Sequence, residues 1–123
     1  MAHKLNLSET EYKIMSYLWT IDSPVTVTEV QKHFAEAGCF WAAQTVQTFL
    51  TRLVQKGALK RTTQGKHRYE PAMSSTEFAS KYLLDTIRDN FGGSIEDFMV
   101  ALRGITRELT KEQKQELKDL WNE

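Results

Sequence analysis

The sequence predicts a mainly α protein with one small β-hairpin. Three observations carry this. Helix-start pairs of the Ser/Thr-x-x-Glu/Gln type recur at Ser8/Glu11, Thr26/Glu29, Ser74/Glu77 and Thr110/Gln113, each able to satisfy two free backbone donors at a helix start. Apolar residues then follow at three- and four-residue spacing. One stretch alone, Leu59 to Pro71, breaks that rhythm, with two short runs around Gln64-Gly65 that read as a hairpin.

The first helix is expected over about residues 9–20, with Tyr12, Ile14, Met15, Leu18 and Trp19 at helical spacing. Asp22-Ser23-Pro24 breaks it, and Val25-Thr26 forms a short extended link. A second helix puts Val27, Val30, Phe34 and Ala35 on its inner stripe and stops at Gly38. After Cys39-Phe40-Trp41, a third helix runs over about residues 42–56. Its inner face is Val46, Phe49, Leu50, Leu53 and Val54; its outer face is Gln44, Thr45, Gln47, Thr48, Thr51, Arg52 and Gln55. Gly57 supplies a left-handed stop. Strands are expected over 59–63 and 66–70, closed by Pro71. Three helices followed by a hairpin is the order of a winged helix-turn-helix.

The rest of the chain reads as helix. Phe78, Tyr82, Leu83, Ile87 and Phe91 form one apolar face, ended by Gly92-Gly93. Ile95, Phe98, Met99 and Leu102 follow after Ser94, and Leu117, Leu120 and Trp121 close the chain. The expected division is a winged-helix domain over 1–72 and a helical domain over 73–123. Three short helices struggle to close a private core. Leftover apolar faces therefore invite a second copy of the chain, with Phe78, Tyr82, Ile87, Phe98, Leu102, Leu117, Leu120 and Trp121 as candidate dimerisation residues.

Overall charge is balanced, with 16 basic and 16 acidic residues in 123. The balance hides an asymmetry. Residues 1–72 hold nine Lys/Arg against six Asp/Glu, and residues 73–123 hold seven against ten. A basic front and an acidic back suit two tasks, one of them facing a polyanion. One cysteine, Cys39, excludes an internal disulfide. No apolar run is long enough to span a bilayer. The start MAHKLNLSETE has no apolar segment of the signal-peptide kind, so a cytoplasmic location is expected.

The chemistry concentrates in the third helix and the hairpin. Gln44 and Gln47 can pair bidentately with adenine edges, and Thr45 and Thr48 can bond a base or phosphate or pack on a thymine methyl. Arg52 can reach a phosphate or a guanine. Read alone, such a face is equally a solvated helix side. The hairpin adds Lys60, Arg61, Lys66, His67 and Arg68 within nine positions, before the first acid, Glu70. Paired strands alternate faces, so some of these point together at a phosphate backbone; the competing reading is a charged edge that blocks strand pairing. An enzyme is not expected. There is no nucleophile-elbow glycine pattern and no phosphate-cradling loop. His3, His33 and His67 have no partners at metal-ligand spacing, so neither a metal nor a cofactor is expected. A winged helix used only as a protein-docking module is the alternative to DNA binding.

The pattern Trp41-x-x-x-Thr45-Val46-x-Thr48-x-Leu50-x-Arg52-Leu53-x-x-Lys56-Gly57 resembles the penicillinase-repressor family, the BlaI/MecI type that includes copper-responsive CopY repressors. Ser8-x-x-Glu11 before Ile14-Met15 and Leu18-Trp19, the Gly92-Gly93 pair and the last helix extend the resemblance over nearly the whole chain. It implies a homodimeric winged-helix repressor of antibiotic-resistance or copper-transport genes. Its N-terminal domain would bind palindromic operator DNA with TACA/TGTA-type half-sites, and its C-terminal helices would dimerise. By position, Gln44, Thr45, Gln47, Thr48 and Arg52 fall where that family's third helix meets DNA, and the basic hairpin falls on its wing. A sensor-linked protease is a further partner that the resemblance implies. Four departures stand out. Gln44 and Gln47 replace the usual Lys and Arg of antibiotic-responsive members. Ala42-Ala43 starts the third helix without a polar cap. The C-terminal cysteine cluster of the copper sensors is absent, and Asn90-Phe91 precedes Gly92-Gly93, whereas the family's cleavage site follows that pair.

Overall fold

The computed structural model describes residues 6–62, 65 and 67–121. Helices α1 (Glu9–Leu18), α2 (Val27–Glu36) and α3 (Ala43–Gln55) precede strands β1 (Leu59–Thr62) and β2 (Arg68–Pro71). Helices α4 (Ser75–Asn90), α5 (Ile95–Ile105) and α6 (Lys111–Trp121) follow, with a 3-10 turn at Thr106–Glu108. The expected class, mainly helical with a two-stranded hairpin, is the observed one.

Local chemistry sets the helix starts. In α1 the Ser8 hydroxyl accepts from the Glu11 amide at 3.1 Å, and the Glu11 carboxylate accepts from the Ser8 amide at 2.7 Å. Thr26 and Glu29 repeat the exchange in α2 at 3.2 and 3.1 Å, and Ser74 and Glu77 in α4 at 3.1 and 3.3 Å. Such a cap contributes about 1 kcal/mol. Helix α3 has none: Ala42 stands at its N-cap with no side-chain bond.

Each of the first three helices buries one stripe. Ile14, Met15 and Leu18 of α1, Val30 and Phe34 of α2, and Val46, Leu50 and Leu53 of α3 share one core with Leu7, Val25, Ala58, Leu59, Tyr69 and Phe78. Truncating any fully buried leucine among them to alanine costs about 2–5 kcal/mol. Gly57, at φ +80°, lets the chain leave α3 through a left-handed residue, which a Cβ would strain. Strands β1 and β2 then pair antiparallel, Leu59 opposite Pro71, Lys60 opposite Glu70, Arg61 opposite Tyr69 and Thr62 opposite Arg68. Val25 adds a bridge on the other side of β2, exchanging two 2.8 Å backbone bonds with Tyr69. The extended link expected at Val25 is therefore a third edge of the wing.

The chain forms two compact units, Met1–Tyr82 and Leu83–Glu123. The boundary expected after residue 72 falls inside the first unit. Trp19 explains this: its indole N–H donates to the Met73 carbonyl at 3.2 Å, and its ring packs on Phe78 at 6.0 Å. In the second unit Ile87 is buried, and Phe91 meets Phe98 edge to face at 5.7 Å. Ser94 caps α5, and Thr110 with Gln113 caps α6. Helix α5 buries no residue fully; Ile95, Met99, Val100 and Ile105 stay exposed. No described helix is long and apolar enough to cross a membrane.

Candidate nucleic-acid interface

Helix α3 is braced from behind. Trp41 packs on Phe34 at 4.9 Å and on Phe49 at 5.7 Å, and its carbonyl accepts from Gln31 Nε2 at 3.0 Å. These contacts lock the turn between α2 and α3 and fix which side of α3 faces outward. That side carries Gln44, Thr45, Thr48, Thr51, Arg52 and Gln55, all exposed. Gln44, Thr48 and Arg52 lie four residues apart, so they form one ridge along the helix. The Thr48 hydroxyl donates to the Gln44 carbonyl at 2.9 Å, so its oxygen remains able only to accept from a ligand. Arg52 has no ion-pair partner among the described residues.

Gln47 differs from its neighbours. It is half-buried, and its amide nitrogen donates to the Tyr69 hydroxyl at 2.7 Å and to the Thr51 hydroxyl at 3.3 Å. Tyr69 belongs to the wing, and its ring is 1% exposed. Strand alternation between Arg68 and Glu70 points it inward, and that pattern was the available signal for it; its reach to Gln47 has no sequence signature.

The wing does not present all its cations alike. Lys60, Thr62, Arg68 and Glu70 share one face of the hairpin, and Leu59, Arg61 and Tyr69 the other. Lys60 pairs with Glu70 at 3.2 Å, and Arg68 reaches Glu29 at 3.5 Å. Both pairs are exposed, and such pairs contribute about 0–1 kcal/mol, so a phosphate can displace either acid. Arg61 and His67 are exposed and have no ion-pair partner among the described residues. Lys66 lies outside the described residues.

One charged contact escaped the sequence reading. Glu11, read there only as a cap, is 2% exposed and receives Lys56 Nζ at 2.6 Å. Lys56 also donates to the Asn6 carbonyl at 3.3 Å. The ion pair ties the start of α1 to the end of α3. Burial pushes the Glu11 carboxyl up, but the hydrogen bonds from Lys56 and Ser8 outweigh it and hold the group below the ordinary carboxylate value.

The candidate dimerisation residues divide. Phe78, 7% exposed, lies in the first unit's core against Trp19, and Ile87 is 6% exposed within the second unit. Both are covered by their own chain, which removes them as contacts for a second copy. Phe98 is half-buried against Phe91. Tyr82 and Leu120 are exposed. Leu102 and Leu117 join Leu120 in lining an open apolar groove of about 470 Å³ with Ile105 and Leu109. The side chain of Trp121 lies outside the described residues. His33 stacks on Tyr17 at 3.5 Å, and no three His, Cys, Asp or Glu side chains among the described residues converge as a metal site would need.

A three-helix core, a two-stranded wing and an outward polar ridge on the third helix define a regulator of the winged helix-turn-helix class. Residues 7–123 match the family model described as Penicillinase repressor, and the chain belongs to that family. The penicillinase repressor of Bacillus licheniformis is 30% identical over 73 residues, a match covering 58% of this chain and 56% of that protein. The chain thus spans little more than half the length of that relative. The solution structure of the DNA binding domain of the repressor BlaI is similar at 29% identity and a TM-score of 0.51, covering 62% of this chain and 93% of that one. Wild-type MarR from E. coli, in its apo form, matches at 15% identity and a TM-score of 0.50 over 96% of this chain and 78% of that one; this likeness concerns the fold.

Proposed function

We propose that this protein is a transcriptional repressor that binds palindromic operator DNA as a homodimer. It acts in the cytoplasm on a β-lactam-resistance-type or related stress operon. One observation carries the reading: the exposed ridge of Gln44, Thr48 and Arg52, with Thr45 beside it, stands on a helix whose other side is anchored in the core. A helix so mounted fits a major groove, and the wing's Arg61, Lys60, His67 and Arg68 supply phosphate contacts beside it. The likeness of this stretch to a repressor's DNA binding domain supports the same assignment.

The first unit holds the DNA-reading parts, and the chain from Tyr82 onward supplies the second copy's docking surface. Tyr82, Phe98, Leu102, Leu117 and Leu120 remain as its candidates, with the exposed Ile95, Met99 and Val100 of α5 enlarging the apolar area. A two-fold pair presents two copies of α3 to one duplex, which is why the target is a palindrome.

The test is a gel-shift titration of the protein's own upstream region at several salt concentrations, with sedimentation of the free protein. Arg52, Lys60, Arg61 and Arg68, four cations per protomer doubled in the dimer, give a slope of log affinity against log salt of about −7. Weak binding, indifferent to both salt and sequence, would overturn the reading and favour a protein-docking module. Derepression of a reporter by a β-lactam tests the operon separately.

A further inference from the structure

Gln47 of α3 is bonded to Tyr69 of the wing at 2.7 Å. Tyr69 is held on three sides. Its ring lies in the core, its backbone is bonded to Val25 in both directions at 2.8 Å, and its hydroxyl accepts from Gln47 Nε2 at 2.7 Å. The same nitrogen gives its second hydrogen to Thr51 Oγ1 at 3.3 Å. A carboxamide has two hydrogens to donate and one oxygen to accept with. Both hydrogens are used inside the protein, and no described residue donates to the oxygen.

We infer that Tyr69 is a positioning residue that turns Gln47 into a single acceptor, so that Gln47 selects an amino base over a keto base in the major groove. An adenine pairs bidentately with a free glutamine through its N6 amine and its N7. Gln47 has no hydrogen left for N7. Its oxygen accepts from adenine N6 or cytosine N4, and it is repelled by guanine O6 and thymine O4, which also only accept. The neutral glutamine at this position is thus a discriminator of exocyclic groups, and the phenol of the wing enforces that role. This inference rests on the DNA-binding reading above.

The experiment is selection from a randomised duplex pool with the full-length protein and its Tyr69→Phe, Gln47→Ala and doubly substituted forms. The wild type is expected to enrich A or C over G or T at one position of its motif by about fivefold, the worth of one net hydrogen bond. Gln47→Ala flattens that position. Tyr69→Phe, which keeps the ring but frees one amide hydrogen, lets Gln47 pair bidentately with adenine, so the preference at that position shifts from A or C to A alone while the other positions stay intact, and the double substitution flattens it as Gln47→Ala does. At an adenine there, replacement by purine, which lacks the amine, weakens binding about fivefold, whereas 7-deazaadenine, which lacks N7, binds as adenine does. A 7-deaza effect as large as the purine effect would overturn the inference. So would an unchanged preference in Tyr69→Phe. If Tyr69→Phe fails to fold, the side-chain amide of Gln47 in the wild type decides: slow hydrogen exchange supports the bond to Tyr69, and exchange at the rate of a free glutamine overturns it. A wild type with a clear motif and no amino–keto preference defeats this inference alone. A wild type with no motif at all defeats the repressor reading, and this inference with it.

Discussion

Replacing Lys56 with methionine is the sharpest test of how the third helix is held. Methionine keeps most of the aliphatic stem and removes the ammonium, so the change deletes the contact to Glu11 together with the longer bond to the Asn6 carbonyl, and only the first depends on pH. At 2.6 Å the gross attraction is about 6 kcal/mol at an effective dielectric of 20. Most of that is offset by taking a carboxylate that is 2% exposed out of water. The net loss is that of a charge-assisted hydrogen bond, about 2 kcal/mol. With a urea slope of about 2 kcal/mol per molar, the unfolding midpoint falls by about 1 M at neutral pH. The pH dependence supplies a second handle. Glu11 sits below its ordinary value of 4.5 in the folded chain, so the stability it adds is complete above that value. It is lost as pH falls through the lower folded value. The gap between wild type and Lys56→Met should therefore be widest at neutral pH and should close in acid. Urea melts monitored by circular dichroism across that range measure it. A gap below about 0.5 kcal/mol at neutral pH, the ordinary scatter for surface changes, or a gap that does not narrow in acid, would refute the reasoning.

Three further outcomes are expected. Arg52→Ala should weaken binding to every duplex alike and flatten the salt slope by about 1 for each protomer engaged, read by fluorescence anisotropy on operator and unrelated DNA. Glu70→Gln frees Lys60 from its 3.2 Å partner; it should tighten DNA binding about two- to fivefold at low salt, with the gain vanishing at high salt. Leu120→Asp changes a side chain that is exposed in the single chain, so it should leave folding intact while moving the sedimenting species from dimer to monomer.

Much of the fold was legible because its signals are local. Ser8, Thr26, Ser74 and Thr110 each announce a helix to a residue three positions on, and each does cap one. The stripe from Val46 to Leu53 and the hairpin after Gly57 are likewise short-range patterns. What stayed hidden joins distant residues. Glu11 and Lys56 are 45 positions apart, Gln47 and Tyr69 22, and Trp19 and Met73 54. Nothing in the intervening residues encodes such meetings. Phe78 shows the cost: its helical spacing is that of any apolar face, and only Trp19 decides that its partner lies within the same chain. The wing's charges had the same ambiguity. Their crowding was visible, but the strand register decides that Arg61 lies on the face of Tyr69 while Lys60 and Arg68 lie opposite, each beside an acid.

The triple attachment of Tyr69 has a consequence for how this protein can diverge. A lineage that exchanges residue 47 for an apolar one strands a phenol hydroxyl in a nearly dry place, a penalty of about 1–3 kcal/mol against a total stability of only about 5–15. If residue 47 reads DNA as inferred above, drift in target preference at this position is thereby limited by foldability. New specificities are accessible chiefly through side chains that still satisfy that oxygen, or through paired changes at both sites.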